Sequence, residues 1–267
     1  MKLNNKGTHR AKQLLKDIGY DEITNVPMDM LVSGLGATLI ETPLNNSDGK
    51  IIRGKSKTLI KINSNIPYPK KRRFTIAHEI GHLILHEKLE IHNENTNTLN
   101  WFKNTEDQAK KGIQEWEAND FASELLMPEY LFRDFCYKKP FNPQLIQALS
   151  DRFKTSITST LFRIQRLNIY PVTIVFIHNG IVKYWLKSTD TRYFIKNITN
   201  LAPPQDSVAQ EYLDADYNFV YTGEEKTQNI FKSTWFELKN DESDSGFYEY
   251  CIPTKQYKNI ISVIWEE

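Results

Sequence analysis

The sequence predicts an α+β fold in two parts: a mainly helical N-terminal domain with a small sheet, and a smaller α/β C-terminal domain. Three observations predict it. Apolar residues recur at helical spacing over most of the chain up to residue 168. Two strand-like runs, Ala37–Thr42 and Thr58–Asn63, interrupt that pattern. Beyond Asn168 the character changes to short β-rich runs, the first two joined by Asn179-Gly180, a strong hairpin signal. At 267 residues, 40% apolar and 25% charged, the chain is long enough for two ordinary globular domains. The boundary is set at residue 169, giving domains of residues 1–169 and 170–267.

Taken in order, residues 8–18 read as a helix with Thr8 as N-cap and Gly19 as stop. Residues 27–35 read as a second helix. The two strands follow, with a turn at Ser47-Asp48-Gly49, and a long helix begins near Pro69. Residues 87–107 are polar, rich in Asn and Thr, and without sustained periodicity. Connections of that length are usually functional or disordered, and a mobile loop over a cleft is expected here. Helical spacing returns over residues 108–127 and 128–137, then over a pair at 142–153 and 155–167. Residues 171–178 and 181–186 form the hairpin, and short aromatic strands continue to Ile260-Ile261-Ser262-Val263-Ile264-Trp265.

The long helix carries the most informative residues. Phe74, Ile76, Ala77, Ile80, Leu83, Ile84 and Leu85 point in nearly every direction around it, the mark of a buried helix. Yet it also carries His78, Glu79 and His82. Burying these is costly without partners, and a metal ion would partner all three. Residues four apart on a helix are separated by about 6 Å along the axis and about 40° around it, so His78 and His82 can converge on one ion. Glu79 lies about 100° round from His78, where it can hold a water beside the ion without ligating. For that reason H-E-x-x-H is read as a metallopeptidase signature.

A catalytic zinc needs a third protein ligand and an open position. His86 lies about 12 Å along the helix from His78, whereas ligand atoms on one ion stand within about 4 Å of each other. His86 is therefore expected beside the ligands and not among them. The better source is the helix holding Glu115-Trp116-Glu117-Ala118-Asn119-Asp120-Phe121-Ala122. Glu115 shares a face with Ala118, Asn119, Ala122 and Leu126, small or apolar residues suited to packing against Gly81. Glu117 points the other way with Asp120 and Glu124, on what reads as a solvated face. Direction favours Glu115 over Glu117 as ligand. Asn119, one turn on, is expected to bond the outer nitrogen of a ligating histidine.

Residues 73–86 (Arg73-Phe74-Thr75-Ile76-Ala77-His78-Glu79-Ile80-Gly81-His82-Leu83-Ile84-Leu85-His86), followed by the segment from Glu115 to Met127-Pro128, resemble the ImmA/IrrE family of metallo-endopeptidases over roughly residues 8–168. The resemblance implies a zincin-like domain with a gluzincin-like site. In it His78, His82 and Glu115 would bind one catalytic zinc, and Glu79 would act as general base. It further implies a protein substrate, a helix-turn-helix repressor or antitoxin-like regulator cleaved in a stress or mobile-element response. Many relatives carry a fused N-terminal DNA-binding domain, which this chain is not expected to have. The donor for an oxyanion stays open among Tyr130, Tyr137, Arg133 and His86. Manganese or another divalent ion also suits two histidines and a carboxylate.

Composition narrows the alternatives. A net charge of +1 gives no global field toward nucleic acid or anionic membrane. Neither a secretory signal nor a membrane-length apolar run is read, and Cys136 and Cys251 form no disulfide or metal pattern, so a cytoplasmic setting is expected. Lys70-Lys71-Arg72-Arg73 and the helical pair with Lys154 and Arg163 are the features closest to a DNA surface. Both read better as a solvated first turn and as packing, and direct DNA binding is not expected. The competing functional reading is a metal-containing regulator that inactivates its partner by binding alone.

Overall fold

The structure, a computed structural model, describes residues 5–45, 47–87 and 112–267. The loop expected over residues 87–107 lies, Glu87 apart, outside the described residues, as do residues 108–111 of the following predicted helix. Chain contacts divide the molecule into two units. One comprises Met1–Tyr137 and Ala148–Thr160, the other Lys138–Gln147 and Leu161–Glu267.

In the first unit, α1 (Lys6–Asp17) buries Ala11, Leu14 and Leu15 at helical spacing. It ends at Gly19, whose φ of 71° allows a closing pair of bonds, Gly19 N–H to Lys16 O and Tyr20 N–H to Leu15 O. The helix starts two residues earlier than predicted, and Thr8 is not its cap. The Thr8 hydroxyl instead donates to Asp120 Oδ2 at 2.9 Å. The second helix, α2 (Met28–Gly34), leads into β1 (Ala37–Thr42), β2 (Gly49–Arg53) and β3 (Thr58–Asn63). Their order is β1-β3-β2, with β3 parallel to β1 and antiparallel to β2. β2 was not predicted: it is a short edge strand whose two central isoleucines are only partly covered.

Helix α3 (Pro69–Leu85) opens with proline in its first turn, where the missing N–H costs nothing. Every residue from Phe74 to His82 is buried. The basic residues at its start have internal partners. Lys70 pairs with Asp151 and Lys71 with Asp48, both at 2.7 Å, and Arg72 pairs with Glu41. Arg73 donates to the carbonyls of Ile23 and Val26. Helix α4 (Ile113–Leu126) packs against both α1 and α3. Here the solvated face predicted for Glu117, Asp120 and Glu124 is wrong: all three are buried beneath α1. Lys6 reaches Glu117 at 3.1 Å, Thr8 holds Asp120, and Lys12 lies 3.9 Å from Glu124. Tertiary pairing meets the desolvation cost that would otherwise keep carboxylates at the surface. Short helix α5 (Glu129–Cys136) adds Phe132, which stacks on Phe153.

Helices α6 (Pro143–Arg152) and α7 (Ile157–Arg166) correspond to the predicted helical pair. Lys154 is exposed and bonds Asn25, whereas Arg163 is buried. The second unit is built on an antiparallel sheet in the order β5-β4-β8-β7-β6. Its strands are β4 (Val172–His178), β5 (Ile181–Lys187), β6 (Thr227–Phe231), β7 (Gly246–Thr254) and β8 (Asn259–Glu266). The β4–β5 turn has both Asn179 and Gly180 at positive φ, as a two-residue hairpin of this type requires. Helix α8 (Val208–Asp214) and the single turn α9 (Lys232–Trp235) bring Tyr212 and Trp235 onto a core with Val175, Phe247 and Ile264. Among the described residues, no helix is long and apolar enough to cross a membrane.

Candidate metal centre

Helices α3 and α4 meet at glycine. A Cβ on Gly81 would lie 3.0 Å from Ala118 Cα and 3.1 Å from its carbonyl oxygen, so glycine lets the two backbones come this close without either having to give way. The approach brings the first turn of α4 to the histidines of α3. His78 and His82 point their Nε2 atoms at one spot, 2.9 Å apart. Glu115 sets one carboxylate oxygen 3.2 Å from His78 Nε2 and the other 3.1 Å from His82 Nε2. One donor atom from each of the three residues lies within 4.8 Å of the others. Sequence direction chose Glu115 over Glu117, and Glu115 is the carboxylate brought to this point.

The outer nitrogens are also engaged. His78 Nδ1 lies 2.8 Å from Asn119 Oδ1. His82 Nδ1 lies 3.1 Å from His86 Nδ1, and His86 Nε2 lies 3.0 Å from Glu117 Oε2. Thus Asn119 and His86 contact the two histidines from outside. Glu117 and Lys6, which extend the second chain, were missed. Arg53 was missed too: its guanidinium donates to the carbonyls of His82, Leu83 and His86, tying β2 to the end of α3, where a cation is favoured.

Burial carries the His82 pKa down to about 4, against the opposing pull of Glu115, so its ring is neutral at pH 7. For Glu115, burial pushes upward, but hydrogen bonds from His78 and His82 outweigh it and hold the carboxyl well below its usual range. Two imidazole nitrogens, at least one of them on a neutral ring, and an ionised carboxylate are the donors a tetrahedral divalent site uses. The residues present fit such an ion. Glu79, fully buried on α3, rests its carboxylate against β2: a Cβ on Gly49 would lie 2.6 Å from Glu79 Oε1. Sequence read Gly49 only as a turn residue and gave no sign of this contact. Among the side chains left open as oxyanion donors, Tyr130 bonds the Asp21 carbonyl and Arg133 bonds Glu129.

Residues 32–165 match the model of the IrrE N-terminal-like domain, a peptidase family. The chain belongs to this family. The matched stretch contains both helices of the candidate centre and all three converging residues. Comparison with curated proteins finds no significant sequence match. Among solved structures, a Mycobacterium tuberculosis transcriptional regulator is similar in fold, with a TM-score of 0.57 at 12% identity, covering 97% of this chain and 75% of that one. At that identity the likeness speaks for the fold alone.

Proposed function

We propose that this chain is a metal-dependent endopeptidase that hydrolyses a peptide bond in a regulatory protein, a helix-turn-helix repressor or antitoxin-like partner, in the cytoplasm. His78, His82 and Glu115 hold one divalent cation, zinc in the first instance and manganese as the alternative. When bound, the cation polarises the scissile carbonyl and brings the pKa of a water from 15.7 towards about 7. Glu79 takes the proton from the attacking water and hands it to the leaving amine nitrogen. Asn119 and His86 keep the two imidazoles turned towards the ion. Residues 1–169 form the peptidase domain, and residues 170–267 a domain that recognises the partner or a signal.

The observation that carries this reading is the convergence of three donors from two helices, with the buried Glu79 next to His78 in the chain. Family membership supports it. The test is incubation of the zinc- or manganese-loaded protein with the repressor-like product of a neighbouring reading frame. Wild type is expected to cut the partner, Glu79→Gln to bind metal without cutting, and His82→Ala to lose both. A partner inactivated yet intact after long incubation with fully metallated wild type would refute proteolysis and establish inactivation by binding.

A further inference from the structure

A histidine that ligates through Nε2 carries its proton on Nδ1, and when buried that N–H needs an acceptor. For His78 the acceptor is the Asn119 side-chain oxygen. For His82 it is another imidazole, Nδ1 of His86. A neutral imidazole accepts at Nδ1 only if its own proton sits on Nε2. His86 Nε2 faces Glu117 Oε2 at 3.0 Å, and an ionised carboxylate can only accept. The order of protons is therefore set from the far end. Glu117 accepts from His86 Nε2–H, His86 Nδ1 accepts from His82 Nδ1–H, and His82 Nε2 is left with its lone pair towards His78 and Glu115. His82, His86 and Glu117 are all buried, so water does not substitute freely along this line.

Helix α1 anchors the remote end. Lys6 Nζ lies 3.1 Å from the same Glu117 oxygen. Next to it, Gly7 lets α1 touch α4: a Cβ there would fall 2.2 Å from the Glu117 carbonyl oxygen. Asp120 and Glu124 share this face of α4 and are equally buried, but they are held by Thr8 and by the Glu129 backbone N–H. We infer that Glu117 is a positioning residue for the candidate metal centre, acting through His86 to fix the tautomer and orientation of His82. This rests on reading that centre as a metal site.

The test uses the full chain and two readouts other than activity: zinc affinity by competition with a chromophoric chelator, and ring-nitrogen NMR of the histidines in zinc-loaded protein. In wild type, NMR is expected to show His86 protonated on Nε2 and His82 on Nδ1. Glu117→Leu removes the terminal acceptor, which should mix the His86 tautomers and weaken zinc binding roughly 10–100-fold, the usual cost of losing an outer partner of a ligating histidine. Glu117→Gln keeps a carbonyl acceptor and should lose much less. Asp120→Asn should leave both readouts near wild type. A folded Glu117→Leu with wild-type tautomers and zinc affinity would overturn the inference, as would an equal loss in Asp120→Asn. Should Glu117→Leu fail to fold, His86→Phe decides: it should bind zinc as weakly as predicted for Glu117→Leu, and wild-type affinity would overturn the inference. Wild type that binds no zinc would instead end the metal-site reading.

Discussion

Replacing Gly49 by alanine tests whether the position of Glu79 depends on β2. Gly49 is buried at the start of the strand, and its backbone is one that alanine adopts without strain. The effect must therefore come from space alone. The added methyl would lie 2.6 Å from Glu79 Oε1, 2.9 Å from Thr75 Cγ2 and 3.0 Å from Glu79 Cγ. Carbon contacts are optimal near 3.5–4.0 Å, so all three are overlaps. Glu79 is only 1% exposed and cannot swing into solvent, so either its carboxylate or β2 must move. Overpacking of this kind costs about 1–3 kcal/mol. A shift of about 1 Å in a group that transfers protons can cost on the order of 100-fold in rate. The expected outcome for Gly49→Ala is a lower urea midpoint, near-normal zinc affinity, and single-turnover cleavage slowed by about that factor. A variant as stable and as fast as wild type would refute the reasoning.

Other perturbations should behave as follows. Gly81→Ala drives a methyl into Ala118 backbone atoms that cannot rotate away, so α3 and α4 should part; chelator competition should show weaker zinc binding and thermal melts a lower Tm. Metal-free protein should lose stability in acid. The His82 pKa is depressed in the folded state, so above about pH 6.5 the ring is neutral both folded and unfolded. As pH falls from there towards 4, only the unfolded chain takes up the proton, a loss on the order of 3 kcal/mol, readable in urea melts. The lowered pKa of Glu115 acts in the same direction below its ordinary value of 4.5. In the second unit, Glu249 is fully buried and accepts from the Val208 and Ala209 N–H groups, the Trp235 indole and the Ser262 hydroxyl. Glu249→Ala orphans these four donors together with the Cys251 thiol, and should cost at least about 3 kcal/mol, seen as a lower midpoint in tryptophan fluorescence.

Much of the candidate centre was legible because it is written in local spacing. The i, i+4 histidines of α3 and the shared face of Glu115, Ala118 and Asn119 on α4 both follow from helical geometry. The hairpin at Asn179-Gly180 was legible for the same reason. What escaped depends on pairings far apart in the chain. Three acidic residues at Glu117, Asp120 and Glu124 look like a wet face until Lys6, Thr8 and Lys12 are laid over them, 112 positions away for Thr8 and Asp120. Gly7 and Gly81 mark where α4 touches its neighbours, but a glycine inside a helix does not say what it touches. β2 is too short and too polar at its ends to announce itself, and its importance to Glu79 and α3 lies in contacts no local pattern encodes.

X-ray absorption at the zinc edge, on wild type and Glu115→Ala, tests the central claim most directly. The account predicts about one zinc per wild-type chain, with two histidine nitrogens at about 2.0–2.1 Å and a carboxylate oxygen at about 2.0–2.2 Å. In Glu115→Ala that oxygen should be lost and zinc held far more weakly. An unchanged ligand shell and full occupancy in Glu115→Ala would contradict it.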